Sequence, residues 1–341
     1  MAVNPRNGKR DFKLDACVAY ANEEFETPNV RTANLEVIVK VFRKNVSRVR
    51  FLMVMPPIIG HAGLSLQRVA DLAELKVTGT LGNSLTEEQQ TEISALLETL
   101  WQEDLARDME LRGTPEWDTK VKESHHLGSA PVNMLSRAPD GTLGFDMFLA
   151  SYVVGAWTAI ETLAGDLWEA ALNIDPDGLA LLKGKPRRHA NASSPGTSRP
   201  RQKDEVSKSV DLDLIKFHGF DLRTKMGTVL RGRYEFSRLS KIRDAYFAAF
   251  DRESGQIEAA IMHESWDALS ALRNLIVHKA SVIDDEYLRR AKDLKIPQGL
   301  KGHDIILDGE IAVGIIKPAF GSAVRLITGV DHWLDKHKQK S

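Results

Sequence analysis

The chain holds a single cysteine, Cys17, among its 341 residues. A lone thiol closes no intrachain disulfide and builds no thiolate metal cluster, so a disulfide-stapled scaffold is excluded and a reducing cytoplasm fits. Charge of either sign is hardly in excess: 46 Lys and Arg stand against 47 Asp and Glu, a formal charge of -1. No global basicity advertises nucleic acid, and any phosphate affinity must come from a local patch. Long hydrophobic runs are scarce as well. The greasiest stretch reads as residues 51–60, which is short and carries Pro56-Pro57, and residues 1–15 are charged without the apolar core of a secretion signal. These absences lead to the expectation of a soluble cytoplasmic protein with no membrane segment. What is there is a hydrophobic fraction of 43%, ordinary for a globular protein, in a chain long enough for two domains.

Apolar periodicity predicts an all-α protein. Ser84 and Thr86 precede Glu87 and Gln89 as overlapping capping boxes, and Ile93, Leu96, Leu97, Leu100, Trp101 and Leu105 follow at helical spacing. Residues 35–55 and 64–75 also read as helices, without a chemical grouping. Residues 116–144 are rich in Gly, Pro, Ser and His and end near the turn signal Pro139-Asp140-Gly141. A boundary near residue 140 therefore separates a helical N-terminal region of unassigned role, residues 1–140, from a helical bundle over residues 141–341. The bundle opens with a wide apolar stripe, Tyr152, Trp157, Ile160, Leu163, Leu167 and Trp168, that also carries Glu161. Residues 183–208, with Arg187 and Arg188, have few apolar side chains and an excess of Lys and Arg, the composition of a flexible basic loop. Such a loop is either merely solvated or an arm that adds salt-dependent phosphate affinity. Helices are predicted over residues 241–250, 256–281 and 319–337, with a short element at 285–293. Asp308-Gly309 between apolar triplets predicts a small β-hairpin over residues 305–313.

Two tempting patterns fail. Gly178 and Gly184-Lys185 approximate a phosphate-cradling loop, but the glycines stand one residue too far apart and Pro186 occupies the place of the magnesium-binding hydroxyl residue. His125-His126 are adjacent, so their rings diverge, and no metal-ligand spacing accompanies them.

The run Ala271-Leu272-Arg273-Asn274-Leu275-Ile276-Val277-His278-Lys279 puts a permanent cation, an amide and an imidazole into a segment that otherwise reads as a buried helix. Arginine offers a planar fork of donors for phosphate, and histidine moves its proton near neutral pH, a combination suited to chemistry on a phosphodiester. At about 100° per residue Asn274 and His278 share a face, while Arg273 lies roughly 140° from His278. One helix is therefore not expected to aim both at one phosphate unless a side chain reaches around or a second copy contributes. The bland alternative is that Arg273 ties down a carboxylate such as Glu161 while His278 caps the helix.

Arg273 and His278, with four residues between them, resemble the Arg-x(4–6)-His signature of the HEPN superfamily. Arg325 and His332 satisfy the spacing too, but only the first pair has the family's flanks. These are Asn274 after the arginine, Leu275-Ile276-Val277 before His278, and Asp284-Asp285-Glu286-Tyr287-Leu288 downstream. The resemblance extends to Ala159-Ile160-Glu161, Asp166-Leu167-Trp168 and Ile242-Arg243-Asp244-Ala245-Tyr246, and covers about residues 145–337. It implies a HEPN-like bundle that dimerises so that two motif helices line one cleft. The implied activity is metal-independent endoribonuclease cleavage of single-stranded RNA, in phage defence, toxin action or stress response. Arg273, His278 and Asn274 would be catalytic, Lys279, Arg187 and Arg188 would hold substrate, and Glu161 would support them. No metal or cofactor is implied. The products would be a 2′,3′-cyclic phosphate and a 5′-hydroxyl. An antitoxin or sensor partner belongs to the same picture, although Ala280 stands where toxins under nucleotidyltransferase control carry a modified tyrosine. The alternative function is a non-catalytic HEPN-like module for dimerisation or partner docking.

Overall fold

A computed structural model describes residues 12–82, 84–117, 119–120, 139–182, 212–250 and 254–338. It is 75% helical, with no strand among the described residues, so the class is all-α. The helices are α1 (Leu14–Asn22), α2 (Ala33–Thr78), α3 (Glu87–Leu111), α4 (Pro139–Ile174), α5 (Pro176–Leu179) and α6 (Leu212–Phe217). They continue as α7 (Met226–Arg231), α8 (Leu239–Ala249), α9 (Gly255–Ile261), α10 (Glu264–Lys279), α11 (Asp285–Ala291) and α12 (Gly309–Lys338).

Their residues group into two compact units. One draws on Met1–Asn22, Arg50–Leu149 and Asp308–Glu310, and the other on Glu23–Val49, Ala150–Leu307 and Ile311–Ser341. This grouping is not a single cut near residue 140. Residues 23–49 join the second unit because Phe25 and Phe42 pack edge-to-face with Phe320, 6.1 and 6.0 Å between centroids. In addition the buried carboxylate of Asp331 accepts from the N–H groups of Arg31 and Thr32, both at 2.9 Å, just before α2 begins.

In the first unit Thr86 and Gln89 close a reciprocal capping box at the start of α3. Val69, Ala73 and Leu100 form a small buried cluster between α2 and α3, with Ile93, Leu96, Leu97 and Trp101 packed against them. The helices expected over residues 35–55 and 64–75 are one helix, α2, which runs through Pro56-Pro57, where backbone donors are missing. Cys17 is buried, and desolvation, with the Asp308 charge second, pushes its thiol up to about 12. It is chemically quiet.

In the second unit buried aromatics fasten the helices through their polar atoms. Trp168 Nε1 donates to Ala245 O at 3.0 Å, Tyr246 Oη to Ala164 O at 2.8 Å and Trp266 Nε1 to Ala319 O at 3.1 Å. These bonds satisfy groups that would otherwise be costly to bury.

Three expectations are corrected. The hairpin over residues 305–313 does not form: Gly309 opens α12, where Ala312, Ile315, Ile316, Ala319 and Phe320 are buried at helical spacing. That 3.6-residue pattern outweighs the Asp-Gly turn signal, and a lone bridge between Val282 and Asp304 is what remains of strand pairing. Pro139-Asp140-Gly141 likewise opens α4, since proline suits a first helical position whose N–H needs no partner. Finally, apolar stretches are longer than residues 51–60. Gly141–Ile174 and Gly309–His337 are long and apolar enough to cross a membrane, and 44% and 50% of their most apolar windows are buried.

Candidate functional site

Helix α10 is set by its buried side. Trp266, Leu269, Leu272 and Leu275 recur every three residues and are essentially inaccessible. The predicted single helix over residues 256–281 is broken before it, at His263, whose Nδ1 accepts from Ser265 N at 3.3 Å and caps α10. At its other end Ala280 (φ 48°) and Ser281 (φ 68°) turn left-handed in succession, which stops the helix directly after the motif. Each such non-glycine residue costs about 1 kcal/mol, so the stop is held by its surroundings. Ser281 N donates to Leu275 O, and Ile305 N returns a bond to Ser281 O at 2.8 Å.

The segment is less buried than its sequence indicates: Arg273 and Asn274 are half-buried, and Val277, His278 and Lys279 are exposed. Within one copy Arg273 Nη1 lies 3.2 Å from Asn274 Oδ1 and 3.3 Å from His278 Nε2. Of the two routes left open, a side chain reaching around or a second copy, the first brings Arg273 and His278 together within one chain. The angular offset holds for Cβ positions, and the long arginine side chain reaches around it. A guanidinium only donates, so Nε2 is the acceptor in this contact and the ring proton belongs on Nδ1.

Glu161 lies on α4, one turn beyond Trp157. Burial raises its carboxyl above the usual glutamate range, the Arg273 charge and then Trp157 oppose this, and Glu235 adds a smaller upward push. Among the described residues Glu161 makes no ion pair with Arg273, which bonds its own helix neighbours instead. The buried Trp157 Nε1 has no hydrogen-bond partner, so its help to the carboxylate is that of a nearby dipole.

Lys279 pairs with Asp284 at 3.4 Å while remaining 54% exposed. Asp284 caps α11 by accepting from Tyr287 N at 2.8 Å, and this backbone bond leads the causes that lower its carboxyl. Tyr287 Oη donates to Pro297 O at 2.7 Å. The family-like Asp-x-x-Tyr flank is thus a helix cap and an anchor. Arg243 is another anchor: it forks onto Asp267 of α10 at 2.8 and 2.7 Å and donates to Ile261 O at 2.9 Å. Arg187, Arg188 and the rest of residues 183–208, as well as His125 and His126, lie outside the described residues. Arg325 and His332 are both exposed, with no hydrogen bond between them among the described residues.

What the sequence reading missed is an exposed aromatic turn at Phe217 and Phe220, signalled only by two phenylalanines among polar neighbours. Among the described residues no three His, Cys, Asp or Glu side chains gather as a metal site. No family model matches the chain, and neither curated proteins nor solved structures give a significant match.

Proposed function

We propose that this protein is a metal-independent endoribonuclease of HEPN type, acting on single-stranded RNA in the cytoplasm. The observation that carries the proposal is the 3.3 Å approach of the Arg273 guanidinium to the exposed His278 imidazole, with Asn274 on the same nitrogen. RNA brings its own nucleophile, so cleavage needs a proton acceptor, a proton donor and positive charge at the phosphate. His278 Nε2 takes the 2′-hydroxyl proton as that oxygen attacks phosphorus and the P–O5′ bond breaks; the 5′-oxygen takes a proton from solvent water, and the imidazolium returns its proton to solvent. Arg273 stabilises the charge on the non-bridging oxygens, Asn274 orients the guanidinium, and Lys279 adds a cation one residue on. The products are a 2′,3′-cyclic phosphate and a 5′-hydroxyl.

A homodimer fits the same reading. Val277, Val282, Leu300 and Ile306 are exposed apolar residues around the end of α10, where the segments before α11 and α12 meet in the Val282–Asp304 bridge. One observation favours the second reading, a non-catalytic interaction module: the bond between Arg273 and His278 already occupies both groups. The deciding experiment incubates purified protein with labelled single-stranded RNA in excess EDTA. Cleavage to cyclic phosphate ends, lost in His278→Ala, is the expected result; an inert wild type with RNA intact selects the interaction module.

A further inference from the structure

The turn after α6 exposes two large aromatic rings, Phe217 at 82% and Phe220 at 68% of their full accessible surface. Isolated exposed apolar residues need no explanation, but two phenylalanines three residues apart on a well-bonded turn do. The turn is not slack. Phe220 N donates to Ile215 O at 3.0 Å and Gly219 N to Lys216 O at 2.9 Å, a left-handed helix stop with Gly219 at φ 64°. Phe220 itself adopts φ 61°, an unfavourable setting for a bulky L-residue, and its ring faces solvent all the same. His218 sets its ring edge-on to Phe217 at 5.2 Å between centroids.

Three cations stand around the rings, interspersed with the exposed carboxylates of Asp213 and Asp221. Lys216, Arg223 and Lys225 are exposed, and among the described residues none of them is ion-paired. Asp221 spends one carboxylate oxygen on Arg223 N at 3.1 Å. The helix that follows the turn, α7, is fixed to the helix that carries Glu161. Asn173 Oδ1 accepts from Gly227 N at 2.7 Å and Thr228 N at 3.3 Å, and Arg231 pairs with Asp166 at 2.8 Å and Glu169 at 3.1 Å. Glu161, Glu169 and Asn173 lie on one four-residue ridge of α4, so the anchor is about 18 Å along that helix from Glu161.

We propose that Phe217 and Phe220 form a stacking platform for unpaired bases of single-stranded RNA, with Lys216, Arg223 and Lys225 holding the adjoining phosphates. The pairing of flat rings with exposed cations that make no ion pair among the described residues matches the two faces of a single strand, base and phosphate. The platform would hold the substrate without sequence preference. It rests on the ribonuclease reading for the identity of its ligand, but its binding role stands apart from cleavage.

The test measures fluorescence anisotropy of a labelled 2′-O-methyl RNA about 20 nucleotides long, which cannot be cleaved, against the full-length protein. Phe217→Leu/Phe220→Leu, which keeps apolarity but removes the flat rings, should weaken binding roughly 10- to 100-fold, and Phe217→Tyr/Phe220→Tyr should retain it. Lys216→Ala/Arg223→Ala/Lys225→Ala should lower the salt slope by about 2. Unchanged melting temperatures and an unchanged gel-filtration volume keep these effects local. Wild-type affinity in the leucine variant overturns the platform, as does a wild type that does not bind the RNA. Binding to phosphatidylglycerol vesicles in place of RNA, lost in the same variant, also overturns it and makes the turn a membrane contact. If the platform variants bind normally while His278→Ala abolishes cleavage, the platform fails and the nuclease reading stands. If wild type binds through the rings but never cuts, the reverse holds.

Discussion

At the scale of single residues the motif divides by exposure. His278 lies in solvent, so His278→Ala should leave the melting temperature within a degree or two, since surface changes of this kind stay within about 0.5 kcal/mol. RNA cleavage should fall about 10²- to 10⁴-fold, the usual cost of losing a proton-transfer group, and Arg273→Ala should fall comparably. A large drop in melting temperature with cleavage intact would instead make the imidazole a structural partner. Glu161 makes a separate prediction. Its folded pKa is raised, so the stability it contributes is fully present below the unfolded pKa and is lost as pH rises through the folded value. Glu161→Gln should therefore match or exceed wild-type melting temperature at neutral pH and lose that advantage in mild acid; melting curves across pH 4–8, roughly the titration window, check this. Arg273, Asn274 and His278 were legible as residue types at a spacing, because the trio conflicts with an apolar helix pattern. Their contact was not: spacing gives the direction of Cβ atoms, while the reach of a guanidinium is a property of the side chain.

Elements were legible where one signal stood alone and illegible where two competed. The Thr86–Gln89 box was visible because cap residues and apolar repeat agree. Thr86→Ala should cost about 1 kcal/mol, read as a lower denaturant midpoint. At Asp308-Gly309 and at Pro139-Asp140-Gly141 a local turn signal met a long-range apolar period, and burial along α12 and α4 decided for helix. The same small and apolar residues that fill these helices hid their length, since glycines and threonines interrupt any visible run. Tertiary closeness was beyond reach altogether. At Gly227 an added Cβ would stand 2.0 Å from the backbone oxygen of Glu169, so α7 rests directly on α4. Gly227→Ala should destabilise the protein by about 1–3 kcal/mol, as overpacking against an immovable backbone does, and thermal melting would show it. A neutral result would mean that α7 lifts away easily, and that the aromatic turn before it is not held to the scaffold.

For the whole molecule the question is how many copies make a working unit. Convergence of Arg273 and His278 does not require a second copy, because one chain already brings them to 3.3 Å. The reason to expect a dimer lies in the surface beside them. Val277, Val282, Leu300 and Ile306 are between 37% and 72% exposed, and the backbone bonds Ile283 N to His303 O and Ile305 N to Ser281 O hold the last three close to one another. Apolar side chains gathered beside polar groups are the usual make-up of an interface core and its rim. A two-fold axis there would face two His278 rings toward a shared strand and shield the scissile phosphate from water, which strengthens the Arg273 charge. Light scattering of the wild type at micromolar concentration should report about twice the mass of the chain. Val277→Asp/Ile306→Asp should return the monomer with its melting temperature nearly unchanged, because both side chains are exposed already. Cleavage should then drop with the loss of the dimer and, in the wild type, with dilution through the dissociation range. A double variant that is monomeric and fully active would leave the chemistry with a single copy, and a wild-type monomer that cuts RNA would remove the dimer from the mechanism while keeping Arg273 and His278 in it.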